Sequence, residues 1–504
     1  MARPSVLILH TDQLRLDALG CYGNPATRTP HIDALAGDGI RYDRHVVANP
    51  VCMPSRASFF TGLYPSAHGV WSLGVPLNRG PDTGPTAGRR QADEAEFIPA
   101  TTADVFAEAG YHTASFGKLH FTPSLGDPSY GFAESWALME AGGLRGWNGP
   151  YYGFNHVELT LGHAEEPCRG GPYADWLETH NPELRRRVLS RNPPPPYGIA
   201  GRKDIYASPI RSEWHHSRWM ADRFETYLEE RTDDPAPWLA FVGFPDPHHA
   251  FTPPEDILTA FADVPIPPPA DPEGRNWRHS PMAAELQRRL CISHLPSEDQ
   301  AAFVRYTLAM VHTVDLAVGR IINSLKKRGL YEQTTIIFTS DHGDYLCDHG
   351  LLLKAKCGHD RLLRVPLIIK PAGQTCGRVD STPVSNVDVL PTLAALCGIP
   401  EQPHWQGCNR IVPENVTPPT ALPMAQCFWG DYTNYTVYDA HSRLTYYPHQ
   451  DHIEWRDHTH NPTDIDGYDG PERTLPTDVK PLLGYLRDQL PRLLRPNKER
   501  LGAW

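Results

Sequence analysis

The segment Cys52-Met53-Pro54-Ser55-Arg56 sets a thiol four residues ahead of a guanidinium. A cysteine is both a strong nucleophile and an oxidisable side chain, and an arginine close by can hold an anion beside it. With ten cysteines in the chain, chance gives about 0.1 matches to a cysteine with proline two residues on and a cation four residues on. The competing reading of Cys52 is a small buried hydrophobe. Two distant segments end in groups that bind cations. Asp12-Gln13 follows the apolar run Val6 to Leu9, and Ser340-Asp341-His342-Gly343 follows the run Thr335 to Thr339. Neighbouring strands of an open α/β sheet bring their carboxyl ends to one crevice, so these pairs can meet. Either pair alone also reads as a turn or a helix cap.

These motifs together resemble the sulfatase family, the formylglycine-dependent type I sulfatases of the alkaline phosphatase superfamily. Cys-x-Pro-Ser-Arg is followed by Thr61-Gly62-Leu63-Tyr64-Pro65, at the family's usual distance from a strand ending in Asp12-Gln13, and the similarity runs over nearly the first four hundred residues. The resemblance implies that a separate formylglycine-generating maturation enzyme oxidises Cys52 to an aldehyde, which hydrates to a geminal diol. One diol oxygen attacks sulfur and the other expels sulfate by reforming the aldehyde, so that no water need attack the hindered centre. A metal would lower the pKa of one hydroxyl and offset charge as sulfur is attacked.

By the same resemblance Asp12, Gln13, Asp341 and His342 are the metal ligands, with the modified Cys52 as another. The oxygen-rich set favours Ca²⁺, with Mg²⁺ next, and the imidazole leaves Mn²⁺ open. Gly117-Lys118-Leu119-His120-Phe121 resembles the family's Gly-Lys-Trp-His-Leu motif with Leu119 in place of tryptophan, and Pro247-His248-His249-Ala250-Phe251 resembles Pro-His-x-Pro-Phe. Lys354 fits a second family lysine, with Lys356 a near competitor. The implied roles are Lys118 and Lys354 gripping sulfate oxygens and Arg56 holding the diol and the charge around the metal. His248 protonates the leaving oxygen, and His120 takes the proton from the second hydroxyl. Against this, lysines are mostly solvated and histidines mostly structural, the reading kept for His68, His215, His216 and the bystander His249.

Two rivals remain. Phosphonate monoester or phosphodiester hydrolases resemble sulfatases closely but tend to lack the Gly-Lys-x-His segment, which is present here as Gly117 to His120. A rival of another class is a metal-binding or interaction protein in which Cys52 stays a thiol, a difference that the mass at residue 52 reveals.

The elements that must position these residues are legible as a pattern. Strands are expected at Val6 to Leu9, Thr113 to Phe116, Trp238 to Phe244, Thr335 to Thr339 and Leu367 to Ile369. Helices are expected near Trp214 to Glu230 and from Phe303 to Lys327, the latter stopped by Gly329. The expectation is an α/β fold, a large central mixed sheet flanked by helices, alkaline-phosphatase-like by the resemblance. It occupies residues 1–410, and a smaller α+β domain spans 411–504, with strands around Asp431 to Asp439 and Arg443 to Tyr447 and a helix at Leu482 to Leu494. Proline clusters at Pro193 to Pro196, Pro253 to Pro254 and Pro265 to Pro269 mark loops.

With 40% hydrophobic and 21% charged residues, the 504-residue chain suits a globular enzyme. A net charge of -12 gives no broad basic field for nucleic acid. An anionic substrate, here a small sulfate ester, must therefore be drawn in by a local cluster of cations. No apolar run approaches membrane-spanning length, and the N-terminal run reads as a strand and not a signal peptide, which sets the expectation of a cytoplasmic protein with mostly reduced cysteines. Self-association is left open.

Overall fold

Val6, Leu7, Ile8 and Leu9 are all fully buried because β1 (Ser5–Thr11) runs through the middle of a sheet covered on both faces. Alternate side chains take opposite sides. Leu7 and Leu9 enter a core shared with helices His216–Glu230 and Ser297–Lys327, while Val6 and Ile8 enter another shared with helix Cys52–Thr61. The computed structural model describes residues 3–79, 98–190, 204–411, 419–459 and 467–493. Pro193 to Pro196 and Leu494 lie outside the described residues.

The remaining strands are β2 (Ile40–Tyr42), β3 (His45–Val46), β4 (His112–Gly117), β5 (His156–Leu159), β6 (Trp238–Gly243), β7 (Thr334–Ser340), β8 (Leu367–Lys370), β9 (Arg378–Asp380), β10 (Val384–Ser385), β11 (Met424–Cys427), β12 (Asn434–Tyr438), β13 (Ser442–Tyr447), β14 (His452–Asp457) and β15 (Gly467–Gly470). The eight-stranded sheet has the order β5-β4-β6-β1-β7-β8-β2-β9. Its first five strands are parallel, whereas β8 pairs antiparallel with both β7 and β2. The expected mixed sheet flanked by helices is therefore present. Strands β11 to β15 form a five-stranded antiparallel meander that shares a core with helix Lys480–Leu493.

Helix Ser297–Lys327 begins six residues before the expected start at Phe303 and ends where Gly329 takes a left-handed φ of 68°. Length and composition would let it cross a membrane, contrary to the reading of the sequence, yet 67% of its apolar window is buried inside the protein. Its stripe of Leu308, Val311, Val314 and Val318 shares a core with Leu7 and Leu9 of β1 and Ile336 and Phe338 of β7. Pro265 to Pro269 are irregular, as expected, and Pro254 precedes the short helix Glu255–Leu258.

The parallel order β4-β6-β1-β7 decides where the chemistry lies. The carboxyl ends of four neighbouring strands run into Lys118, Asp246-Pro247-His248, Asp12 and Asp341-His342 respectively. Strand β4 turns at Gly117, whose φ is 99°, and a Cβ there would sit 2.3 Å from the Gly243 carbonyl oxygen. A Cβ on Gly243 would in turn lie 2.2 Å from the Lys118 carbonyl oxygen. Only glycine at both positions lets β4 and β6 close together while Lys118 turns into the crevice.

Candidate active site

Cys52 is the first residue of helix Cys52–Thr61 and is buried at the sheet's carboxyl edge. Its Sγ lies 2.9 Å from Lys354 Nζ, 3.2 Å from His342 Nε2 and 3.7 Å from Asp12 Oδ1. Burial and Asp12 raise the thiol's pKa, but Lys354 and His342 outweigh them and leave it below the ordinary value.

Arg56, one turn along the same helix and fully buried, joins the two acidic strand ends. Its guanidinium lies 2.8 Å from Asp341 Oδ2 and 3.3 Å from Asp12 Oδ2, and donates to the Lys118 carbonyl at 2.9 Å. Lys118 Nζ is 2.6 Å from Asp12 Oδ2. With both Oδ2 atoms committed to cations, each carboxylate turns Oδ1 to the centre, where His342 Nε2 is 3.5 Å from Asp12 Oδ1 and 3.6 Å from Asp341 Oδ1. Burial opposes ionisation of Asp12, but Lys118 and its neighbours hold its carboxyl well below the usual range. At Asp341, burial and Asp12 oppose ionisation while His342 and Arg56 keep the group ionised.

The donor set fits a divalent cation. Asp12, Cys52, Asp341 and His342 each offer one buried ligand atom, all within 4.8 Å of one another. Ligands about 2.3–2.6 Å from a central ion at right angles would stand about 3.3–3.7 Å apart, and the His342-to-carboxylate separations fall in that range. His342 Nδ1 donates to the Gly343 carbonyl at 2.9 Å, which leaves the Nε2 lone pair facing the cluster. Gln13, held at a left-handed φ of 66°, gives its backbone N–H to Asp341 Oδ1 at 3.0 Å and its side-chain Nε2–H to Asp344 Oδ2 at 2.5 Å. Oε1 is then the end of the amide that Asp344 does not hold.

Histidines and lysines close the other side. Lys354 Nζ is 3.1 Å from His248 Nε2, and His248 Nδ1 donates to the carbonyl of His249. Burial, His163, His249 and Lys354 push His248 well below the usual histidine pKa, so without an anion it is neutral. Arg56, Lys118 and Lys354 gather in the crevice around the Asp12 and Asp341 carboxylates. This is the local cluster that the acidic net charge requires.

The structure thus brings Asp12, Cys52, Arg56, Lys118, His248, Asp341, His342 and Lys354 into one crevice with Gln13 at its edge. His120 is buried beside it at a left-handed φ of 64°, its backbone N–H bonded to Glu134 and its Nδ1 without a hydrogen-bond partner. Burial first, then Lys118 and Arg56, hold it well below the usual histidine pKa. Of the two candidate lysines, Lys354 reaches Cys52, whereas Lys356 Nζ lies 3.2 Å from Ser72 Oγ. His68 bonds Ser58 at 2.9 Å, and His215 and His216 flank Asp246 at 3.6 and 3.1 Å.

Two site residues, His163 and Asp344, went unread, and His249, read as a bystander, holds one of the candidate ligands. His163 stacks on His248 with ring centroids 3.5 Å apart, contacts Lys118 Nζ and lies 3.6 Å from Asp12 Oδ2. Its signal was its place just beyond β5, another parallel strand end, but β5 itself was not foreseen. Asp344 and His249 both hold the Gln13 amide, His249 Nδ1 being 3.2 Å from each end of it.

A crevice that joins a possible metal site to buried lysines and histidines suits a hydrolase of anionic esters, and the family comparison agrees. The family model Sulfatase matches residues 4–399, and the chain belongs to the sulfatase family, whose members are sulfuric ester hydrolases. The chain is 29% identical over 419 residues to the uncharacterized sulfatase YidJ of Escherichia coli K12, covering 82% of this chain and 71% of that protein. It is also 29% identical over 422 residues to the multifunctional alkaline phosphatase superfamily protein PehA of Trinickia caryophylli, covering 79% and 74%. The solved phosphonate monoester hydrolase of Agrobacterium radiobacter shares the fold with a TM-score of 0.74 at 24% identity, over 97% of this chain and 95% of that one.

Proposed function

We propose that this sulfatase acts through a formylglycine made from Cys52, with one divalent ion, Ca²⁺ by preference, held by Asp12, Gln13, Asp341 and His342. The observation that carries this reading is Lys354 Nζ, 2.9 Å from Cys52 Sγ and 3.1 Å from His248 Nε2, beside an acidic cluster that Lys118 joins through Asp12. When bound, the ion would lower the pKa of a hydroxyl at residue 52 and offset negative charge. Arg56 keeps both carboxylates ionised and oriented. Lys118 and Lys354 bind the sulfate oxygens, whose negative charge offsets the repulsion from Lys354 that adds to burial in depressing His248. His248 Nε2 then takes up a proton and delivers it to the departing alcohol oxygen, while its Nδ1–H stays on the His249 carbonyl. His120, neutral in its buried position, accepts the proton of the second hydroxyl as sulfate leaves.

A phosphonate monoester or phosphodiester activity is the second reading, favoured by the likeness to PehA and by the tetrahedral anions common to both reactions. Lys118, bonded to Asp12 in the crevice, supports sulfate as the principal substrate. The test is a panel of aryl and alkyl sulfate esters run beside phenyl phosphonate monoesters on enzyme produced with a maturation enzyme. Higher kcat/KM on sulfates supports the proposal. Higher kcat/KM on phosphonates replaces it with the second reading.

A further inference from the structure

The sulfate-gripping end of the crevice leads to a second cation. Lys356 lies two residues beyond Lys354, so their Cα atoms are at most about 7 Å apart. Its Nζ points at the loop after His68, 3.2 Å from Ser72 Oγ and 5.9 Å from the centre of the Trp71 ring. Trp71 is 42% exposed. No carboxylate among the described residues lies within ion-pair distance of Lys356. Arg289, the other cation facing it, is matched by Glu285 at 2.8 Å and lies over Trp429, 5.4 Å from the ring centre. Burial holds the Lys356 ammonium below the usual lysine value, with Cys427 opposing the shift and Arg289 adding to it.

An exposed indole beside an ammonium that no described carboxylate pairs, two residues along the chain from the lysine that binds the scissile sulfate, is a recognisable kind of subsite. The indole offers a flat face to a ring, and the ammonium offers a charge-assisted bond to an anion on that ring. We propose that Trp71, Ser72 and Lys356 form the leaving-group subsite and select sulfate esters whose alcohol is a ring bearing a second anionic group, a carboxylate or a further sulfate. This rests on the sulfatase reading and goes beyond it by naming the class of alcohol.

The test separates binding from reaction. Phenyl sulfate and 3-carboxyphenyl sulfate are titrated calorimetrically into Ca²⁺-loaded Cys52→Ala protein, alone and with Lys356→Met, Lys356→Arg or Trp71→Ala added. The carboxylated ester is expected to bind roughly tenfold more tightly. Lys356→Met should erase that advantage, Lys356→Arg should keep most of it, and Trp71→Ala should weaken both esters alike. Equal affinity for the two esters without the added substitutions, or an advantage that survives Lys356→Met, overturns the proposal. Turnover of phenyl sulfate by the maturated parent enzyme reports on the sulfatase reading separately, so a failed reaction and a failed subsite give different results.

Discussion

The Gln13 amide can coordinate a cation only with its oxygen, and Asp344 decides which end is offered. Asp344 is buried, and its Oδ1 accepts the backbone N–H groups of Leu346 at 2.7 Å and Leu353 at 2.8 Å. Its Oδ2 can only accept, so the amide end 2.5 Å away must be the Gln13 NH₂. Asp344→Asn keeps Oδ1 and both backbone bonds but replaces Oδ2 with an NH₂ group. The Gln13 amide must then turn over, sending its own NH₂ toward the cation. Losing the orientation of one ligand in this way typically costs 10–100-fold in metal affinity, about 1.4–2.7 kcal/mol. Gln13→Glu alone sets one carboxylate against another and should also bind more weakly than the double variant. In Gln13→Glu/Asp344→Asn the new amide NH₂ at position 344 donates to the new carboxylate at position 13, whose other oxygen faces the ion, and affinity should return to within roughly threefold of the parent. Calorimetric titration of Ca²⁺ or Mn²⁺ into the four proteins measures this directly. Parent-like affinity in Asp344→Asn, or a double variant as weak as the sum of the singles, would refute the reasoning.

Three further outcomes are expected. Chelation should abolish turnover while leaving the melting temperature within a few degrees, whereas Asp341→Ala should also cost about 3–5 kcal/mol of stability because fully buried Arg56 loses its 2.8 Å partner; full activity of metal-stripped enzyme would contradict this. His248→Ala should slow esters of poor alkoxide-like leaving groups at least tenfold more than nitrophenyl sulfate, and equal losses across a leaving-group series would remove His248 as proton donor. Cys52→Ser keeps one hydroxyl beside Lys354 and Arg56 but lacks the second, so it should become sulfated at residue 52 and stall after one turnover or fewer, with mass spectrometry of the reacted protein looking for the adduct.

The four strand ends that carry the site were legible because central parallel strands are continuous apolar runs: Val6 to Leu9, Thr113 to Phe116, Trp238 to Phe244 and Thr335 to Thr339 each fall within or overlap an observed strand. Strand β5, His156–Leu159, has His and Glu among four residues and gave no such run, and with it went His163. In the C-terminal sheet, β12 and β13 are aromatic and β-branched and were foreseen. Strand β14 reads His-Ile-Glu-Trp-Arg-Asp and β15 Gly-Tyr-Asp-Gly, compositions that strands ordinarily avoid and that pairing in the meander overrides. Asp344 lay only two residues beyond His342, but what it does depends on Leu353 and Gln13, which the fold alone brings to it. Lys354 was preferred in sequence with Lys356 close behind it, and the path of their loop separates a lysine at Cys52 from one at Ser72.

The central claim is that residue 52 acts as a formylglycine, and the mass of the peptide containing it, measured across preparations made with increasing amounts of maturation enzyme, tests that claim most directly. Loss of H₂S with gain of O at Cys52 should appear in step with sulfate release, turnover rising in proportion to the converted fraction and vanishing in fully thiol protein. Full sulfatase turnover by protein whose residue 52 is entirely an unmodified thiol would contradict the account.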